Sequence, residues 1–97
     1  MASVELQAVI DQLRAHPIDP NAPLEVLRAA FPAAPAPEGT TMTLSDAGGR
    51  PAEWVVADNA VPDRRLLYLH GGGYVIGSPA THRDLAGRIS QDRKSVV

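Results

Sequence analysis

The apolar run Leu66-Leu67-Tyr68-Leu69 ends without transition in His70-Gly71-Gly72-Gly73, and this junction constrains the chain more than any other stretch. Uncharged residues of this kind read as a buried strand, and three consecutive glycines admit backbone conformations that side chains forbid. The strand thus delivers a loop of bare amides. Its continuation, Tyr74 to His82, leads into a helical pattern. A strand, a glycine loop and a helix start together turn peptide N–H groups toward an anion. On residues alone the loop has three uses: a tight turn, a phosphate cradle, or fixed donors for the oxygen of a carbonyl undergoing acyl transfer. The phosphate use lacks support from spacing, since no Walker lysine follows and Gly71-Gly72-Gly73 with Gly77 does not make G-x-G-x-x-G.

The flanking chain supplies two helices before a β region. Val4, Leu6, Val9, Ile10 and Leu13 recur at mostly helical intervals from Ser3 to Ala15, with Ser3 as cap and His16-Pro17 as the stop. A second helix is predicted from about Ala22 to Phe31, capped by Asn21, with Leu24, Leu27 and Phe31 on one face. Pro32 to Pro37 holds three prolines in six residues and reads as an extended linker. Thr40 to Ser45 and Glu53 to Ala57 flank the turn residues Asp46-Ala47-Gly48-Gly49, which predicts a hairpin of open register. The third strand is expected to begin near Arg65. A last helix starts near Thr81, where Thr81 and Asp84 have capping-box spacing, and turns Leu85, Ala86 and Ile89 toward a core. The order is that of an α/β chain, with a helical leader and linker at residues 1–37 and the sheet region at 38–91.

Composition narrows the partners. A net charge of -2 with both signs scattered along the chain gives no basic surface for nucleic acid or an anionic membrane. The chain has no cysteine, which excludes disulfides, thiolate nucleophiles and cysteine zinc sites and fits a reducing, cytoplasmic compartment. No secretion signal or membrane-spanning run is visible.

His70-Gly71-Gly72-Gly73 after an apolar strand resembles the oxyanion signature of lipases and esterases with the α/β-hydrolase fold. The longer run from His70 to Ser78, followed by Thr81-His82-Arg83, is similar to the hormone-sensitive-lipase branch, which includes many bacterial carboxylesterases. The resemblance implies an N-terminal part of a carboxylesterase or lipase that acts on a small ester through a serine nucleophile, without metal or organic cofactor. It implies oxyanion donors at Gly71 and Gly72, with Gly73 allowing the bend. It also implies that His70 braces the loop and is no general base, that Tyr74 is a candidate lining residue of the pocket, and that the leader helices belong to a cap. The fold implied is an incomplete α/β-hydrolase: two cap helices, a hairpin, a third strand, the oxyanion loop and the first helix against the sheet.

The family's nucleophile elbow, G-x-S-x-G, does not occur among these 97 residues. Ser78 lies in Ile76-Gly77-Ser78-Pro79-Ala80 and reads as a loop or cap residue, and His82 as a helix-start residue that steadies the loop. The expectation is a chain without a catalytic triad and without turnover of its own. Acyl and alcohol preference and oligomeric state are not encoded in this stretch. The resemblance runs to about Gln91; Asp92-Arg93-Lys94-Ser95-Val96-Val97 instead resembles the in-frame translation of a common sequencing adapter, which predicts a non-native tail at 92–97. The alternative from a different class is a small non-catalytic protein that uses the glycine loop to bind an anion or a partner.

Overall fold

A computed structural model describes all 97 residues. Helix α1 (Val4–Ala15) starts as its sequence predicts, with Ser3 Oγ accepting the Leu6 N–H at 3.2 Å, yet none of its residues is buried. Helix α2 (Leu24–Ala29) is shorter than expected. Asn21 does not cap it, because the helix starts only at Leu24 and Pro23 occupies the cap position without a side-chain bond; the Asn21 N–H donates to Asp19 Oδ1 at 2.8 Å in the preceding turn. The proline-rich segment is docked. Ala34 N–H donates to Ala80 O at 2.9 Å, and Pro37 sits so close to Gly87 that a Cβ there would stand 2.4 Å from Pro37 Cδ.

Strands β1 (Thr40–Asp46) and β2 (Pro51–Ala57) form the expected antiparallel hairpin, with Thr40 opposite Ala57 and Asp46 opposite Pro51. Gly48 and Gly49 set this register. Both have positive φ, +63° and +84°, and Ala47 N–H donates to Arg50 O at 2.9 Å, a two-residue turn whose twist matches the flanking strands. The register buries Val55 and Ala57.

Strand β3 (Val61–Arg65) ends where the third strand was expected to begin, and the expected burial of the apolar run is not found. Leu67 and Leu69 are 83% and 80% exposed, and only Leu66 continues the ladder, donating to Val96 O at 2.8 Å. An apolar run is buried only when neighbouring strands and helices cover it, and none lies along this outer edge.

Helix α3 (Arg83–Arg93) ends at Lys94, whose left-handed φ of +49° turns the chain back into strand β4 (Ser95–Val96). The sheet order is β1-β2-β4-β3, with β4 antiparallel to β2 and parallel to β3. Residues 92–97, expected as a tail, therefore lie inside the fold. The slot between β2 and β3 makes this possible, because ladder bonds use backbone groups whatever side chains the inserted strand carries. Val55 and Val97 exchange N–H···O bonds of 2.7 and 3.2 Å, and Ser90 Oγ, fully buried, accepts the Ala57 N–H at 2.8 Å and donates to Ser95 O. The small core consists of Val55, Ala86 and Val97, flanked by Met42 and Ile89. No helix is long and apolar enough to cross a membrane.

One ion pair joins α3 to the sheet. Arg83 Nε and Nη2 reach Glu53 Oε2 and Oε1 at 2.9 and 2.6 Å, with the side chains 19% and 6% exposed. The hydrogen bond from Arg83 to Glu53 raises the guanidinium pKa further above its ordinary value. Glu53→Ala strands a half-buried guanidinium at a cost of about 3 kcal/mol. Amide exchange over Ala86–Ser90 is expected to accelerate accordingly, while Asp84→Ala, which breaks only an exposed pair with Arg88, leaves it unchanged.

Candidate active site

The loop after β3 carries glycine at two positions where a side chain would collide, Gly72 and Gly77. Gly72 has φ +138°, and a Cβ added there would lie 1.9 Å from the carbonyl oxygen of Ile76. Gly72 O in turn accepts the N–H groups of Val75 and Ile76 at 3.2 and 3.1 Å, closing a tight turn. Gly73 (φ +61°) and Tyr74 (φ +66°) continue the left-handed path. The N–H groups of Gly71, Gly72, Gly73 and Tyr74 donate to no protein acceptor. These unpaired donors on successive residues lie at the rim of a cleft of about 730 Å³.

His70 lies within the loop. Its Nδ1–H donates to Gly71 O at 2.7 Å, and its ring stacks on His82 with centroids 5.4 Å apart and planes at 23°. Gly77 leaves room for it, since a Cβ there would come within 3.1 Å of His70 Nδ1. Ser78 and Thr81 cap the short 3-10 turn Ala80–His82 reciprocally: Ser78 Oγ accepts the Thr81 N–H at 3.3 Å and Thr81 Oγ1 accepts the Ser78 N–H at 3.0 Å. The expected box between Thr81 and Asp84 does not form, because Thr81 is engaged by Ser78 and Asp84 pairs with Arg88 at 2.9 Å. Tyr74 borders the cleft through its backbone, but its side chain projects fully into solvent.

Sequence reasoning missed Arg28. From α2 its Nε donates to Val75 O at 2.8 Å, across 47 residues, and it is the charged side chain among the cleft's lining residues. No local pattern marks it, since an arginine on a short exposed helix is ordinary. No group of three or more His, Asp or Glu side chains is arranged to hold a metal ion.

The hairpin, the strand beyond it, the helix packed on the sheet and the glycine loop that follows β3 are those of part of an α/β-hydrolase, and comparison with known proteins specifies the branch. The chain is 35% identical over 104 residues to an acetyl-hydrolase of Streptomyces hygroscopicus, covering all of this chain and 33% of that one. Among solved structures it matches an esterase/lipase from an uncultured bacterium with TM-score 0.87 and 34% identity, over 98% of this chain and 34% of the other. It matches an esterase from the bacterial hormone-sensitive lipase family with TM-score 0.85 and 34% identity, over 100% and 34%. No protein-family model matches the chain. The chain belongs to the hormone-sensitive-lipase-like α/β-hydrolases, as an N-terminal part that spans about a third of the length of these relatives.

Proposed function

We propose that the loop His70–Gly73 supplies the oxyanion hole of a serine carboxylic-ester hydrolase, with Gly71 and Gly72 donating to the oxygen and Gly73 making the bend. The observation that carries this reading is the run of four amides without acceptors at the cleft rim. In acyl transfer the carbonyl oxygen gains negative charge, and donors already fixed in place stabilise it without reorganisation. His70 braces the loop through Gly71 and His82, and Tyr74, its side chain in solvent, borders the pocket mouth. The substrate class is a small ester, as the names of the related acetyl-hydrolase and esterases suggest. The attacking serine, its histidine and its acid lie outside the 97 residues, and no cofactor takes part.

Two measurements test this. The 97-residue chain is expected to hydrolyse p-nitrophenyl acetate no faster than the buffer blank; turnover abolished by a serine-directed phosphonate refutes the absence of a triad. A chimera of residues 1–91 joined to the remaining two thirds of the Streptomyces acetyl-hydrolase is expected to be an esterase. A folded but inactive chimera refutes the oxyanion assignment. The same reading treats Asp92–Val97 as non-native, and an independent clone that encodes these six residues and continues past them refutes that part. A non-catalytic anion-binding role is the alternative, favoured if phosphate binds the loop amides of the inactive chimera.

A further inference from the structure

The glycine loop follows a costly path, with left-handed φ at Gly72, Gly73, Tyr74 and Gly77. Tyr74 is the one residue of the four that carries a side chain, and left-handed backbone there costs roughly 1–2 kcal/mol. Such a path persists only where its surroundings hold it. His70 holds the entry, through Gly71 O and the stack on His82. The exit, at Val75 and Ile76, is covered by no strand or helix of its own, and Val75 is half exposed. What grips it is Arg28, whose Nε–H donates to Val75 O at 2.8 Å. The turn closed by Gly72 O lies between this grip and the free amides, so a shift at Val75 is passed directly to Gly72.

We propose that Arg28 is a positioning residue that clamps the exit of the oxyanion loop from α2, so that the helical leader sets the orientation of the donor amides. The inference rests on the oxyanion reading above. It gives the leader a second task beyond covering the pocket: its placement is coupled, through one guanidinium, to the geometry of the reacting centre. Arg28 is free for the task because its guanidinium makes no ion pair.

The test uses Arg28→Ala in the chimera, a change that leaves α2 a good helix former. A misplaced donor weakens only the transition state, so kcat is expected to fall about 10- to 100-fold with KM nearly unchanged. Millimolar guanidinium chloride is expected to restore part of the loss in Arg28→Ala and none in Gly72→Leu. Hydrogen exchange at the amides of Val75 and Ile76, the two that donate to Gly72 O, is expected to accelerate. An unchanged kcat, or a loss confined to KM, in a chimera that Gly72→Leu inactivates overturns the role of Arg28 and leaves the oxyanion reading intact. A folded chimera without activity refutes the oxyanion reading, and exchange at Val75 and Ile76 then decides the clamp alone, unchanged rates overturning it.

Discussion

Alanine at position 72 is expected to lower kcat of the chimera by about 10²- to 10³-fold, the loss seen when an oxyanion donor is removed. The reason is geometric. The new Cβ would stand 1.9 Å from Ile76 O and 2.8 Å from Ile76 C, both backbone atoms, at a φ of +138° that side chains rarely adopt. The turn must open, and the amides of Gly71 and Gly72 turn with it. Neighbouring glycines provide the contrast. At Gly73 an added Cβ meets nothing within 4 Å, so Gly73→Ala bears only the left-handed strain of roughly 1–2 kcal/mol and keeps the loop path. At Gly71 the space is also open, and φ is not positive. Kinetics with circular dichroism on the three variants check the order; equal losses at Gly72 and Gly73, or full activity in Gly72→Ala, refute the assignment of the donors.

The second large effect concerns the exposed edge at Leu66–His70. Leu67 and Leu69 lie 83% and 80% exposed, and the N–H groups of Leu67 to His70 donate to no acceptor. Beside them runs a groove of about 550 Å³ lined by Trp54, Val55, Leu66 to Leu69 and Val97. A flat apolar edge with open donors recruits further strands. The 97-residue chain is therefore expected to self-associate at about micromolar concentration. Burial of one leucine side chain stabilises by roughly 2 kcal/mol, so Leu67→Lys with Leu69→Lys is expected to weaken association at least about 100-fold. Size exclusion with light scattering measures this. A monomer at about 100 μM for the unsubstituted chain would remove the edge from consideration.

These two predictions differ in how far the sequence alone supports them. The glycine run after an apolar stretch is legible because its meaning is local: three residues without Cβ announce unusual backbone and free amides. Which of them is indispensable is not legible, since that depends on Ile76 folding back beneath Gly72. The hairpin and the Ser3 cap are local in the same sense, and both form as their residues predict. Hairpin register became definite only with the two positive φ values at Gly48 and Gly49. Asn21 and Thr81 show the limit of cap reading: α2 starts beyond Asn21, behind Pro23, and Thr81 is engaged by Ser78.

By itself the sequence determined the two leader helices, the hairpin, the last helix and the glycine-built bend, because propensity, capping and glycine conformations act over a few residues. Tertiary structure decided what remains exposed and what meets across the chain: the bare edge at Leu67 and Leu69, the strand Ser95–Val96 between β2 and β3, and Arg28 on Val75 O. Those outcomes depend on which surfaces find partners, and contacts across tens of residues leave no periodic trace in the chain that makes them.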